Sequence, residues 1–390
     1  MREIIIGTND AGRRLDRFLR KYLREASLGE IYKLIRKDIK VDGKRRDQSY
    51  MLSEGEVINL YISDEVLGRM TGEADTGSGI GPGGRRHISK SKAKRQFAII
   101  YEDDQILIAD KPFGLLTHGD SHEKKDHLAN QVKDYLIERG DYDPGSERVF
   151  SPAPANRIDR NTTGLVLFGK TATALKDLNT MIREDMIDKY YLTIVSGIID
   201  KEMTLTGSLI KDERSNKVKV SHVTREFTDV DRLSAMHGRS SANMKGFSAK
   251  CAGISYAGRS SDPDSGREII TVVKPLEHFS VRDTSPGKSG ARPITATLAE
   301  IHLVTGRPHQ IRAHLASIGH PVIGDAKYAD RHASRLNDYA KKHFGLTTQL
   351  LHARRIEFRE TTEKLAYLRG RSFEASLPAR FEKILANIRG

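Results

Sequence analysis

The chain has 390 residues, 37% of them hydrophobic and 30% charged, with a single cysteine, Cys251. At about 150 residues per domain this is material for two domains; no run nears the roughly 20 apolar residues of a membrane-spanning helix, the isoleucines at 4–6 are too few for a secretory core, and one cysteine excludes an internal disulfide or a multi-cysteine metal site. The 65 Lys and Arg against 52 Asp and Glu leave a formal charge of +13, so a soluble cytoplasmic protein with a polyanionic partner is expected.

Residues 1–65 read as a small folded unit. Leu15, Phe18, Leu19, Tyr22 and Leu23 share one helical face. Ser27 and Glu30 form a capping box ahead of a second helix that turns Ile31, Leu34 and Ile35 inward. Ile39 and Val41 precede the turn signal Asp42-Gly43, and Val57 to Ile62 reads as a strand. From Arg13 to Arg46 there are thirteen Lys or Arg and five Asp or Glu. Two successive basic helices and a basic turn give the rigid cationic surface that phosphate-backbone binding needs. Arg14, Arg17, Lys33, Arg36, Lys37 and Lys44 are its candidate RNA contacts. The blocks Arg14-Leu-Asp-Arg-Phe-Leu19, Ile31-Tyr-Lys-Leu-Ile-Arg36 and Ile39-Lys-Val-Asp-Gly-Lys44 resemble the S4-type RNA-binding domain.

Residues 66–95 read as a linker. Seven of the seventeen residues from Gly68 to Gly84 are glycine, and a basic run from Arg85 to Arg95 follows. Residues 96–390 read as the main domain. Strands are expected at 99–101, 106–109, 164–168, 191–195, 298–304 and 356–358, and helices near 128–137, 172–183 and 309–318. Mixed strands and helices without strict alternation indicate an α+β fold. Residues 221–266, rich in Ser, Gly, Arg and Asp, read as an inserted loop without order of its own.

Several motifs fail on mechanism. Gly164-Leu-Val-Leu-Phe-Gly-Lys-Thr171 matches the phosphate-loop pattern, but its centre is an apolar strand whose N–H groups a sheet would consume. His302, His309, His314, His320 and His352 include no His-Glu-x-x-His, and His309 and His314 lie five apart, off one helical face. No Gly-x-Ser-x-Gly elbow occurs, and Cys251 lies in the irregular segment. No metal and no cofactor are expected.

Two segments carry chemistry. In Asn156-Arg-Ile-Asp159-Arg-Asn-Thr-Thr-Gly-Leu165 a single carboxylate lies between two arginines just before a strand. Flanking cations favour its ionised form, fit to act as nucleophile or base. In Thr305-Gly-Arg307-Pro-His309-Gln-Ile-Arg312-Ala-His314 a turn feeds a helix whose start offers His309, Gln310 and Arg312, suited to phosphate and to a carboxylate partner. With Asp110-Lys111-Pro-Phe-Gly114, Lys189-Tyr-Tyr191 and Leu351-His-Ala353, these five ordered blocks resemble the RluA-type family of pseudouridine synthases. The resemblance covers about residues 97–220 and 267–380. Asn156, Asp110 and Pro308 depart from the family pattern, which has His, Asn and a small hydroxyl residue there.

The resemblance implies a mixed, largely antiparallel central sheet with flanking helices, preceded by a small S4-like α/β module. It implies an isomerase that turns specific uridines of RNA into pseudouridine, with large-subunit (23S) ribosomal RNA the favoured target. By residue it implies Asp159 as the catalytic carboxylate acting on the ribose, Tyr191 stacked on the uracil and Arg312 paired with Asp159, Arg307 being second choice for that pairing. Arg157 matches the arginine that helps displace the target base, and Lys111 and His309 are placed in the site. The reaction needs no cofactor. The partner is RNA, no membrane is involved, and a monomer is expected. Two alternatives remain at this point. One is a non-catalytic RNA-binding or ribosome-assembly factor on the same scaffold; the other is a glycosidase, which would need a second acid across a cleft.

Overall fold

A computed structural model describes residues 1–72, 95–121, 123–144, 147, 149–212, 217–227, 267–281, 293–329 and 334–389. The first unit has strands β1 (Arg2–Ile5), β2 (Ile39–Val41) and β3 (Val57–Leu60) in the order β1-β3-β2, all antiparallel. Helices α1 (Leu15–Tyr22), α2 (Leu28–Lys37) and α3 (Asp64–Thr71) cover it. The predicted apolar face is the buried one: Leu15, Phe18, Leu19 and Leu23 pack with Ile31, Leu34, Ile35, Ile58 and Leu60 in one cluster. The capping box forms as read, Ser27 N–H donating to Glu30 at 2.9 Å and Glu30 N–H to Ser27 Oγ at 3.3 Å. The expected linker start at 66 falls inside α3, which Ser63 caps and whose Met70 is buried in the same core. Of the basic run 85–95, only Arg95 lies within the described residues.

Among the described residues the main sheet has eleven strands. Its path is β10 (Lys217–Phe227), β9 (Met203–Asp212), β11 (Arg267–Val281), β12 (Ile294–Leu303), β8 (Ile187–Ser196), β13 (Leu351–Phe358), β7 (Thr163–Gly169), β5 (Ile106–Lys111) and β4 (Ala98–Glu102). The short strands β6 (Ala153–Pro154) and β14 (Ser372–Glu374) flank β7 and β13. Among the described strands only the β7–β13 pairing is parallel. The α+β class and the mixed, largely antiparallel sheet are as expected. Helices α4 (Leu128–Arg139), α5 (Ala172–Arg183), α6 (Gln310–Ser317), α7 (Ser334–Phe344) and α8 (Ala379–Arg389) pack against it. Alternation sorts side chains to two faces: Val166, Phe168, Tyr191 and Val195 join one cluster, while Leu165 and Leu167, and Leu192 and Ile194, enter two others.

Two expectations change. The loop expected over 221–266 begins too early, because 221–227 continue β10, paired with β9; its remainder, Cys251 included, lies outside the described residues. The sequence also missed β9 and β11, whose Thr, Ser and Lys residues dilute the apolar alternation; partners on both sides hold each of them in the sheet. The phosphate-loop decoy is a strand, as argued. Residues 163–169 are all buried, Lys170 pairs with Glu102 at 2.9 Å and Asp141 at 3.0 Å, and Thr171 caps α5.

Gly164 sets how closely β7 meets β13. Its φ is +106°, and a Cβ there would lie 2.1 Å from the Ala353 carbonyl oxygen. Gly164→Ala must therefore part these strands, at a cost of about 3 kcal/mol. Calorimetry should show the unfolding midpoint falling by on the order of 10 °C, whereas Gly29→Ala, in open space on α2, should leave it level or raise it.

Candidate active site

The loop joining β6 to β7 carries Asp159. It is pegged at three points. Asn156 Oδ1 accepts the Leu167 N–H at 2.8 Å, Thr117 Oγ1 donates to the Ile158 carbonyl at 2.9 Å, and Thr162 N–H donates to the Asp159 carbonyl at 3.0 Å. The departure at Asn156 thus has a structural task. Below the loop, Lys111 is fully buried and donates to the carbonyls of Leu115 (2.7 Å), Arg160 (3.0 Å) and Pro112 (3.1 Å). Lys111, expected among the RNA contacts, is instead a strut: its three donors are spent inside, and it offers no surface to a ligand.

Asp159 keeps about a quarter of its side chain exposed. The two arginines beside it in sequence are not its partners. Arg160 Nε turns to the Gly114 carbonyl at 3.1 Å. Arg157 projects into solvent, where its charge adds to burial in lowering His118. The partner is Arg312 of α6, 153 positions away, whose Nη1 donates to Asp159 Oδ2 at 3.0 Å. Arg312 is 6% exposed. Its Nε and Nη2 grip Asp325 at 2.7 and 2.9 Å, the planar two-point geometry that guanidinium makes best with a carboxylate. Asp325 is itself 1% exposed.

Tyr191 stands on β8 opposite Ile301 of β12 and Ala353 of β13. Its ring is buried. Burial, and then the charge of Asp159, push its hydroxyl well above the usual tyrosine range, so it is neutral and serves as an aromatic surface near the carboxylate. His309 caps α6 in the left-handed region, at φ 56°, a conformation that costs a non-glycine residue on the order of 1–3 kcal/mol. Gln310 holds it there. The Gln310 amide accepts from Thr305 Oγ1 (2.9 Å) and Arg307 N–H (3.1 Å), and donates to Ile270 O and Thr271 Oγ1 (both 3.0 Å). Gln310, read from sequence as a free donor, is wholly used by the turn.

Tyr328 completes the wall. Its hydroxyl accepts the Val218 N–H at 3.1 Å and reaches His309 Nδ1 at 2.9 Å. His309 Nε2 lies 4.0 Å from Asp159 Oδ2. Burial lowers His309, against the pull of Asp159, which keeps the ring neutral. The Arg312 guanidinium lies 5.1 Å from the Tyr328 ring centre. Asp325 and Tyr328 were missed as site residues. Asp325 had one signal: an acid closing the apolar run 321–324 needs a buried cation.

Of the remaining histidines, His314 and His352 are buried and bond Thr271 at 3.0 Å and Thr163 at 2.8 Å. Burial brings each down to about 4, so both are neutral core residues. Among the described residues no three His, Cys, Asp or Glu side chains gather as a metal ligand set, and no helix is long and apolar enough to cross a membrane. Arg307 is exposed beyond the α6 turn. Arg17, Lys33, Arg36, Lys37 and Lys44 are exposed on the first unit, whereas Arg14 is drawn to Asp16 by bonds of 2.7 and 3.1 Å.

The site can thus orient one carboxylate on a buried guanidinium, beside a neutral imidazole and a neutral aromatic ring. That set suits attack or proton transfer at a carbon flanked by a planar ring.

Burial pushes the Lys111 ammonium from 10.5 down to about 7, against Asp159 and Asp110. Between those values the unfolded chain holds a proton that the folded chain lacks, so stability rises with pH across that window; below about 7 the cost of the buried charge is fully present. In urea unfolding, wild type should gain on Lys111→Met by up to about 1.4 kcal/mol per pH unit from pH 7 to 10. Parallel pH profiles would rule this out.

Comparison with known proteins bears on this geometry. The family model for RNA pseudouridylate synthase matches residues 105–317. The chain is 27% identical to the ribosomal large subunit pseudouridine synthase C of Vibrio cholerae, over 99% of its own length and 96% of that relative. It is 26% identical to the protein of the same name from Escherichia coli, over 91% and 88%. Among solved structures, human RNA pseudouridylate synthase domain containing 4 shares the fold, with a TM-score of 0.50 at 17% identity over 75% of this chain and 93% of that one.

Proposed function

The chain belongs to the RNA pseudouridylate synthase family, and from that premise we propose that it isomerises uridine in large-subunit (23S) ribosomal RNA with Asp159 as its catalytic carboxylate. One observation carries the residue assignment: the Arg312 bond to Asp159 at 3.0 Å, set beside the buried ring of Tyr191. The choice of RNA follows the printed names of relatives aligned over nearly the whole chain.

In the reaction the N1–C1′ bond of the target uridine breaks, the uracil turns, and a C5–C1′ bond forms. The C5 proton leaves to solvent and N1 regains a proton, so no redox partner or group donor is needed. Asp159 acts on the ribose. Arg312 holds the carboxylate in one orientation, and Asp325 holds Arg312. Tyr191 stacks on the detached uracil. The target base must leave its helix at a cost of a few kcal/mol, and exposed Arg157 and Arg307 stand at the rim to hold the opened strand. Residues 1–72 act as an S4-type RNA-binding module, with Arg17, Lys33, Arg36, Lys37 and Lys44 facing phosphate. One chain carries all these groups, so a cytoplasmic monomer is the working state.

Tritium release from ribosomal RNA labelled at uridine C5 tests this. Wild type should release tritium, and Asp159→Asn should be slower by at least about 10³-fold with RNA binding intact. Turnover above a tenth of wild type in Asp159→Asn would remove the carboxylate from its role. Binding without release by wild type would make the chain a non-catalytic RNA-binding factor. Asp325→Asn should lower kcat by about 10²-fold at nearly unchanged KM, because it frees Arg312 without touching RNA; Asp325→Glu should recover part of it. An equal loss in KM would instead place Asp325 in substrate binding.

A further inference from the structure

The first unit does not merely hang from a tether. Asn9 Oδ1 accepts the Ala172 N–H at the start of α5 at 2.8 Å, and Asn9 Nδ2 donates to Glu147 at 2.7 Å. Val149 is buried in the first unit's core. The contact thereby satisfies a helix-start N–H that α5 cannot bond itself. Beside this seam lies a cleft of about 310 Å³, lined by Arg13 and Lys21 from one unit and Ser151, Lys176 and Asn179 from the other.

We propose that this cleft holds backbone phosphate of the RNA substrate, with Arg13, Lys21 and Lys176 as its cations. The inference rests on the proposed RNA-modifying function and extends it to a second contact. Three observations support it. First, the positive charge is only partly balanced within the protein, by Asp10, which faces Arg13 and Lys21. Arg13 has one weak partner, Asp10, at 3.7 Å. Neither Lys21 nor Lys176 forms an ion pair among the described residues, and burial and then the charge of Arg13 push the Lys21 ammonium down against the pull of Asp10. Cations gathered against their own repulsion and desolvation are stabilised by an anion. Second, the cations come from two units whose spacing the Asn9 bridge fixes, so the arrangement is rigid. Third, the aromatic lining residue, Phe150, is only 4% exposed. It offers no face for a base, so the cleft suits phosphate rather than sequence readout.

Its place sets its effect. Ala153 at the cleft pairs with Gly169, the far end of β7, whereas Asp159 precedes Thr163 at the near end. Six strand steps separate those ends by about 20 Å. The cleft therefore grips RNA away from the target nucleotide, and acts on binding rather than on the chemical step.

The full chain carrying Lys21→Glu and Lys176→Glu tests this, with 23S ribosomal RNA as the probe. Its KM should rise by about tenfold or more at unchanged kcat. The slope of log affinity against log salt should shrink by about 1 per cation removed. The double replacement by Arg should restore both values, since phosphate asks only for charge. Unchanged KM and salt slope, or a fall in kcat alone, would overturn the proposal. Filter binding reads the salt slope without turnover, so an inactive wild type would refute the function while leaving the cleft separately testable.

Discussion

The buried guanidinium of Arg312 organises the catalytic domain's working end. It faces two carboxylates, one sealed in the protein and one open to solvent. Asp325 supplies two of its hydrogen bonds and compensates its charge, so the side chain tolerates burial. Nη1 is then aimed at Asp159 without rotational freedom. A carboxylate oriented in advance needs no reorganisation when a substrate arrives. The same guanidinium plane packs on Tyr328, whose hydroxyl bonds His309 Nδ1. One ion thus couples the loop before β7, the start of α6 and the segment after α6.

The sheet supplies the distances. β13 lies between β7 and β8, so its width determines how far the loop of Asp159 stands from Tyr191. Gly164 lets that gap close to backbone contact. Lys111 then fixes the height of the loop by binding carbonyls on either side of it. Burying an ammonium is costly, and three carbonyl acceptors offset only part of that cost. The strained turn at His309 follows the same logic: Gln310 spends all its bonding capacity to keep one residue in an unfavourable conformation.

The first unit adds charge at fixed places. Its apolar core is filled by its own strands and helices together with Val149, which leaves its helices free to display cations outward. Asn9 then ties it to α5, so its basic residues have a set position relative to β7. An enzyme acting on one nucleotide of a long polyanion benefits from contacts at two separated points, because together they fix register.

Much of this was legible in the sequence because it depends on local order. The heptad-like spacing in α1, the Ser27–Glu30 box and the apolar strand at 164–168 are consequences of backbone period and capping. The five ordered blocks were enough to identify the family, and Asp159, Tyr191 and Arg312 could be named from them. The Asp159–Arg312 pairing came with them, but the Asp325 clamp on Arg312 did not. The arginines adjacent to Asp159 turn away, since a side chain next in sequence on a turn points elsewhere, and the cation that binds it comes from 153 residues on. Lys111 looked like a ligand group, yet its depth in the domain makes it a support. Asp325, Tyr328 and the Asn9 bridge are invisible to spacing, because which polar groups meet inside a protein is set by the strand order β8-β13-β7 and by the packing of α6 upon it. The residue types determined which chemistry was possible; the tertiary structure decided which pairs perform it, because electrostatic coupling acts through distance and burial rather than through position along the chain.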